Sequence, residues 1–241
     1  LSTFYKSIEY KRDGDGWRLN GMKALVTAAP WADRLIVTAR TGGAPGDDEG
    51  LSLFLLDPGR PGVTLKPYPT IDGRRAADVL LDDARLGAEA LLGVAGQALP
   101  MVEKVADEAV AALSAEAVGV LRRMLRDTVL HTGRRRQFGK TLSEMQALQH
   151  RMVDMFMHVE AAHSAVLLAT LTLDAPAPRR ARAVSAAKAT VGRACRFVGQ
   201  NAIQLHGGMG MTDDLPLGRY FKRAMAIDAE FGVSGGVLHA D

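Results

Sequence analysis

The 241-residue chain has a single cysteine, Cys195, which excludes a framework of disulfide bonds within the chain. A chain so poor in cysteine is typical of a reducing compartment, and we expect a cytoplasmic protein. Aromatic residues make up only 5% of the sequence, and the net charge of +3 comes from interspersed acids and bases. These values predict no nucleic-acid-binding surface. No apolar run approaches ~18 residues, which predicts no membrane span.

The first part of the chain, residues 1–95, is rich in turns. Glycine, proline and aspartate separate short runs of residues that favour strands. These runs are WRLNG, KALVT, RLIVTAR, LSLFLL, VTLKPY and ADVLL. This texture predicts a small antiparallel β domain over residues 1–95.

The second part, residues 96–241, is dominated by alanine, leucine, methionine, arginine and glutamate. Between Leu148 and Leu173, apolar residues recur at alternating spacings of four and three, which indicates the buried seam of a bundle helix. The prolines of DAPAPRR and the glycines of GGMGMTDDLPLG interrupt this pattern. We predict an antiparallel four-helix bundle. Its helices are expected at about 98–132, 142–174, 179–206 and 215–230. The fold class is therefore α+β.

The segment RRRQFGK, residues 134–140, lies at the junction of the first two predicted helices. Three consecutive arginines repel one another unless water or an anion offsets their charge. The planar guanidinium suits phosphate oxygens, so the segment is a candidate anion site. The alternative is a solvated basic turn, which the spacing alone favours.

The segment QLHGGMGMT, residues 204–212, places three glycines at a predicted helix end. Gly207, Gly208 and Gly210 permit a positive φ and close approach of the backbone to a ligand. The segment matches neither the dinucleotide fingerprint nor the Walker A spacing. The pattern alone therefore favours a helix C-cap over a phosphate-binding loop.

One Glu-x-x-His pair, Glu160 and His163, occurs in the second predicted helix. Carboxylate-bridged dimetal bundles need two such pairs and two further glutamates. The remaining histidines show no zinc-binding spacing. We therefore predict no metal site.

Three segments together resemble the acyl-CoA dehydrogenases: LNGMKALVT with ADRLIVTAR, RRRQFGKTLSEMQALQHRMVDM, and NAIQLHGGMGMTDDLPLGRYFKR. They occur in the family's order and spacing, and they are most similar to the bacterial pimeloyl-CoA dehydrogenase small-subunit-like group. The resemblance implies a β-barrel middle domain and a C-terminal four-helix bundle. The family's helical N-terminal domain is expected to be missing from this chain.

The resemblance also implies an activity and partners. Such enzymes use FAD to oxidise an acyl-CoA thioester to the trans-2-enoyl-CoA, in fatty acid or lipid catabolism. The expected electron acceptor is electron-transfer flavoprotein or a similar protein. Because the cofactor bridges subunits in the family, a homo- or hetero-oligomer is implied.

Several residues match the family's FAD contacts. Leu25 and Thr27 match positions against the flavin ring. Arg135 matches the arginine that binds the FAD pyrophosphate of a neighbouring subunit, and Phe138 matches a residue that packs on the same cofactor.

The remaining matches belong to the adenosine side of FAD. Gln146 matches an adenine-side contact. Gln204, Gly207 and Gly208 match the segment that holds the ADP part across the subunit interface. Guanidinium, amide and exposed backbone are the groups that a dinucleotide needs.

The family's catalytic glutamate has no counterpart at either of its usual positions. Phe231 stands where many members have the glutamate at the end of the last helix. Ala109, followed by Val110, stands where other members have it on the first bundle helix. The family chemistry needs this carboxylate to remove the α-proton while the β-hydride goes to flavin N5.

Three interpretations follow. A neighbouring acid, Glu230 or Glu108, acts as a relocated base. Alternatively, the chain is a partner subunit that helps to hold FAD, or only supports the assembly, while another subunit supplies the base. In the third, the base comes from the missing N-terminal part or from an unrecognised residue.

The acids at the end of the last helix also have a plainer interpretation. Asp228 and Glu230 would be solvated carboxylates whose charge is offset by Lys222 and Arg223. From the sequence, this interpretation is favoured over a catalytic role for Glu230.

Overall fold

The computed structural model describes residues 9–13, 16–44 and 47–232. The chain divides into two compact units, Leu1–Lys104 and Val105–Asp241. Strands make up most of the first unit and helices most of the second. The α+β class is therefore confirmed.

The first unit contains one seven-stranded sheet. Its strands are β1 Glu9–Asp13, β2 Gly16–Thr27, β3 Leu35–Arg40, β4 Leu51–Leu56, β5 Val63–Pro69, β6 Arg75–Leu86 and β7 Leu91–Leu92. The sheet order is β5-β6-β2-β1-β3-β4-β7, and every neighbouring pair is antiparallel except β1 and β3. The predicted runs WRLNG and KALVT fuse into β2, whereas β1 and β7 lie outside the six predicted runs.

The two edges of this sheet are β5 and β7, and no ladder joins them in the described part of the chain. The small antiparallel sheet is therefore observed, while closure into a barrel stays a prediction.

Buried and more exposed side chains alternate along the strands, and the buried ones form the core of the sheet. Trp17 and Leu19 of β2 are buried and share one apolar cluster with Phe54 of β4 and Val79 of β6. The rings of Trp17 and Phe54 meet edge to face with centroids 5.2 Å apart. This geometry is favourable for aromatic quadrupoles and anchors β2 against β4.

The second unit is built on four helices: α1 Leu99–Arg134, α2 Gln146–Leu171, α3 Ala177–His206 and α4 Leu217–Ala229. A two-stranded hairpin, β8 Arg136–Gln137 and β9 Lys140–Thr141, connects α1 to α2. The predicted start of the second helix at about residue 142 is wrong. A 3₁₀ turn at Leu142–Glu144 carries a capping box with Thr141, so α2 begins only at Gln146.

One apolar core is shared by all four helices. It contains Leu121 of α1, Met155 of α2, Val198 of α3 and Ile227 of α4, each fully buried. The seam predicted along the second helix is confirmed at its buried members Met155, Val159, Ala162, Val166 and Ala169.

Helix α2 is long and apolar enough to cross a membrane by length and composition alone. Its most apolar window has a mean hydropathy of 1.2, and 28% of that window is buried. A single helix of this kind is weak evidence, because the core helix of a globular domain passes the same test.

Candidate functional site

The hairpin between α1 and α2 places Arg135 beside the end of α1. Phe138 and Gly139 form its tip with φ angles of 54° and 82°, as a tight two-residue turn requires. The Leu142 N–H donates to the Arg135 carbonyl over 2.9 Å and closes the hairpin base. Phe138, a predicted cofactor contact, is 88% exposed at the tip.

An open groove of about 770 Å³ lies where the hairpin, α1, α2 and the end of α3 meet. We call it the Arg135 groove. Its lining residues are His131, Arg135, Gln137, Leu142, Ala147, Leu148, Arg151, Gln204, Leu205, His206, Gly207, Gly208 and Met209. Four predicted cofactor residues therefore meet here: Arg135, Gln204, Gly207 and Gly208.

Two other predicted cofactor residues do not line the groove. Phe138 stands at the hairpin tip, and Gln146 is exposed at the first position of α2. Their sequence neighbours Gln137 and Ala147 line the groove instead.

The three glycines of the GGMG segment have different roles. Gly207 ends α3 with a φ of 61°, so the predicted helix C-cap is confirmed. A Cβ on Gly207 or Gly208 would meet no atom within 4 Å, whereas one on Gly210 would lie 2.8 Å from the Ile203 carbonyl oxygen. Gly210 is thus needed for packing, and Gly207 and Gly208 leave their backbone open to the groove.

Two positive charges in the groove have no counter-charge. Arg135 and Arg151 are exposed, and neither makes a side-chain hydrogen bond or ion pair within the described ranges. Arg180, by contrast, is buried against Asp107 at 2.8 Å. Unpaired guanidiniums beside open glycine backbone fit the phosphate oxygens of a dinucleotide. Arg151 was not predicted as a site residue, because its proximity to Arg135 depends on the packing of α2.

A pair of stacked histidines forms one wall of the groove. This pair was not predicted from the sequence. The rings of His131 and His206 lie 4.3 Å apart at 27°. His206 is buried, with its Nδ1 2.8 Å from the Ala202 carbonyl oxygen. Burial, and then the neighbouring His206 and Arg135, lower the pKa of His131 from its ordinary value.

The two predicted flavin-ring positions lie in the first unit, on β2. A β-bulge between Lys23 and Val26 gives Leu25 a φ of 53°. The Leu25 N–H donates to the Asp78 carboxylate over 3.0 Å and to the Tyr68 hydroxyl over 3.1 Å. Leu25 is 51% exposed and Thr27 is exposed, so both side chains are accessible.

Glu230, a candidate base, lies just beyond the end of α4. Its backbone is extended, with φ −65° and ψ 136°. Its carboxylate accepts a hydrogen bond of 2.8 Å from Arg223, which also binds both carboxylate oxygens of Glu116. The hydrogen bond with Glu116, and then the one with Glu230, raise the pKa of Arg223. The predicted offset of Glu230 by Arg223 is confirmed.

Glu108, the other candidate base, is exposed on α1, beside half-buried Ala109 and buried Val110. Glu108 is thus open to solvent, whereas the carboxylate of Glu230 is held by Arg223.

The prediction that Asp228 is a solvated acid is wrong. Asp228 is 5% exposed, and its carboxylate lies 3.3 Å from an Arg196 guanidinium nitrogen of α3. Lys188 of α3, 2% exposed, donates hydrogen bonds of 2.9 Å to the carbonyls of Asp228 and Gly232. A buried lysine therefore caps the end of α4, and burial lowers the pKa of Lys188.

The Glu160–His163 pair makes contacts typical of charged side chains on a helix surface. His163 Nδ1 lies 3.9 Å from Glu160, whose other oxygen lies 3.7 Å from Arg122. Within the residues that the structure describes, no group of three or more His, Cys, Asp or Glu side chains is arranged to hold a metal ion.

The fold and the groove define an α+β protein with a site suited to a dinucleotide. Residues 92–235 match the model of the acyl-CoA dehydrogenase C-terminal domain, and residues 2–84 match that of the middle domain. This chain belongs to the acyl-CoA dehydrogenase family.

Individual relatives agree with this assignment. The chain is 29% identical to the mitochondrial short-chain specific acyl-CoA dehydrogenase of Rattus norvegicus, over 95% of this chain and 56% of the relative. The structure of butyryl-CoA dehydrogenase from Megasphaera elsdenii matches with a TM-score of 0.87 and 26% identity, over 97% of this chain and 61% of the other.

A third relative comes from a structure of two differently named proteins. The structure of the ChsE4–ChsE5 complex from Mycobacterium tuberculosis matches with a TM-score of 0.87 and 25% identity, over 98% of this chain and 62% of the other. The chain thus spans less than two thirds of the length of each of these relatives.

The glycines provide a matched pair of variants. Gly210→Ala is expected to lower the free energy of unfolding by about 1–3 kcal/mol, because its Cβ would overlap the Ile203 carbonyl. Gly208→Ala is expected to change it by less than about 0.5 kcal/mol. Chemical denaturation followed by circular dichroism measures both. Equal destabilisation would show that both glycines serve packing.

The lysine cap of α4 predicts a larger loss. Lys188→Met removes the hydrogen-bond donor of the Asp228 and Gly232 carbonyls and a cation from beside buried Asp228, so we expect a loss of about 3 kcal/mol in unfolding free energy. Lys222→Met, at an exposed position of α4, is the control. Equal stability of the two variants would contradict the assigned capping role.

Proposed function

We propose that this chain is the FAD-holding part of a flavin-dependent acyl-CoA dehydrogenase, which desaturates an acyl-CoA thioester at its α and β carbons. The observation that carries this proposal is the Arg135 groove. It brings Arg135 together with Gln204, Gly207 and Gly208, although Arg135 is far from these three residues in sequence. All four were assigned to FAD by resemblance alone.

The groove residues suit the diphosphate and adenosine parts of the cofactor. Arg135, supported by Arg151, would bind phosphate oxygens through guanidiniums that have no other partner in the described structure. The amide of Gln204 would bind a polar edge, and the open backbone at Gly207 and Gly208 would permit close approach. When bound, FAD supplies the hydride acceptor.

The other assigned contacts fit a cofactor shared between subunits. Phe138 exposes an aromatic ring at the hairpin tip, and Gln146 is exposed nearby in sequence. Both would contact the same FAD molecule once a second subunit is present. Leu25 and Thr27 would lie against the flavin ring, in a middle domain that we expect to close into a barrel. The helices of the second unit are expected to form an antiparallel bundle.

For proton abstraction, we favour a base on a different subunit. Of the two usual base positions, one holds Phe231 and the other Ala109. The carboxylate of Glu230 is engaged by Arg223, and Glu108 is exposed. The related ChsE4–ChsE5 complex supports a heteromeric assembly. In this proposal the chain lies in the cytoplasm, binds acyl-CoA within the complex, and passes electrons to electron-transfer flavoprotein or a similar acceptor.

A second candidate function is a structural subunit that contributes no catalytic group. The absence of a carboxylate at both usual base positions favours this candidate. The FAD contacts would then only hold the subunits together. Flavin content and acyl-CoA-dependent reduction separate this candidate from the first.

The role of Arg135 is tested by cofactor affinity. Arg135→Met is expected to weaken FAD binding by about tenfold or more, because a charge-assisted hydrogen bond contributes about 1.5–3 kcal/mol. Arg136→Met is the control, since Arg136 is adjacent but lies outside the groove. Binding is measured by quenching of flavin fluorescence. Equal affinities of the two variants would contradict the assignment of the groove to FAD.

The location of the base is tested by flavin reduction. The purified protein is mixed anaerobically with a panel of acyl-CoAs while flavin absorbance is recorded. We expect a yellow protein that is not bleached alone but is bleached once its co-purifying subunit is added. Bleaching without a partner, lost in Glu230→Gln or Glu108→Gln, would instead establish a base on this chain. A protein that never binds flavin would contradict the proposed function.

A further inference from the structure

The stacked histidines occupy a particular place in the Arg135 groove. His131 belongs to the last turn of α1 and His206 to the last turn of α3. Both line the Arg135 groove and also an adjoining cavity of about 520 Å³, which Arg135 lines as well. The pair therefore forms the wall between two open spaces, next to a guanidinium.

The hydrogen bonding of the two rings differs. His206 is 7% exposed, and its Nδ1 faces the Ala202 carbonyl, which can only accept. His206 therefore holds one fixed N–H inside the protein. The His131 side chain makes no hydrogen bond within the part of the chain that the structure describes, where it stacks on His206. Its ring nitrogens remain available to a ligand.

The charges that face His131 are mostly positive. From α1 they are Arg123, Asp127 and Arg134, from the residue after α1 Arg135, and from α2 Arg151; the titratable ring of His206 comes from α3. Asp127 is already bound by Arg123 at 2.8 Å and 3.0 Å, so little of its negative charge is left for His131. The residues Leu215, Pro216 and Leu217 that precede and begin α4 contribute only apolar atoms to the adjoining cavity wall.

We propose that His131 is a further ligand-binding residue of this groove, which takes up a proton from solvent when a diphosphate ligand binds and then donates an N–H to it. This inference rests on the proposed function and assigns a proton to its FAD site. Stacking on His206 holds the ring in place in both states.

The direction of the effect follows from the charges. Without a ligand, burial opposes a proton on His131, and His206 and Arg135 oppose it further, so the pKa is lowered. The negative charges of a diphosphate would offset the nearby arginines and raise this pKa. Binding is then coupled to proton uptake between the lower, ligand-free pKa and the higher, ligand-bound pKa. Affinity increases as pH falls through that window and is constant above it.

Isothermal titration calorimetry tests this coupling. The full chain is titrated with FAD and, separately, with ADP, from about pH 8 to about pH 6, in buffers with different ionisation enthalpies. The variant His131→Phe keeps a ring that can stack on His206 but has no proton to exchange. His163→Phe, which changes a histidine outside the groove, is the control.

The expected result is tighter binding at lower pH by about threefold to tenfold over this range, since one proton allows at most about tenfold per pH unit. Net proton uptake on binding should accompany it. His131→Phe should lose both the uptake and the pH dependence, and should bind as the unaltered protein does at high pH. His163→Phe should retain both.

Two outcomes overturn the inference in different ways. The role of His131 would be overturned if the unaltered protein bound these ligands equally well at every pH, or if His131→Phe kept the same pH dependence. Either result would leave the FAD site intact. Failure of both FAD and ADP to bind at every pH would overturn the proposed function, and this inference with it.

Discussion

The site depends on one constraint: the common core of the four helices holds the C-terminal ends of α1 and α3 side by side. The stacked rings of His131 and His206 are the direct contact between these two ends. Each helix then delivers a different chemical group to the same place. Arg135, the residue after α1, supplies a guanidinium, and Gly207, the residue after α3, supplies open backbone. Helix C-termini carry partial negative charge, so the unpaired arginines are essential for the groove to attract an anion.

The end of α4 is governed by a second buried contact. Helix C-termini leave carbonyl groups without partners, and here a lysine from the neighbouring helix α3 binds one of them, at Asp228, and also the Gly232 carbonyl beyond the helix. Lys188 can stay buried because Asp228 supplies a nearby negative charge. This cap holds the chain through Phe231 and Gly232, both of which have a positive φ. Lys188 therefore links the segment that follows α4, where Phe231 stands, to helix α3.

Much of the fold was accessible from the sequence, because apolar periodicity and turn residues act locally. The seam from Met155 to Ala169 is buried as predicted, and Gly207 ends α3. Contacts between helices were not accessible. A lysine at position 188 looks like a solvated residue until packing buries it, and His131 and His206 are 75 positions apart along the chain. The start of α2 was misplaced because the capping box of Thr141 and Glu144 adds a separate turn.

The candidate site was predicted through resemblance more than through pattern. Spacing alone favoured a solvated turn around Arg135, and it offered no reason to bring this residue to Gln204. Only the assembled helices show that both line one groove and that Arg151 adds a second charge.

The candidate acids near α4 are held by ion pairs. Arg223 binds Glu116 and Glu230 together, so one guanidinium offsets two carboxylates at the end of α4. The Glu230 carboxylate is therefore engaged by a cation. This arrangement supports the proposal that this chain binds the cofactor and another subunit removes the proton.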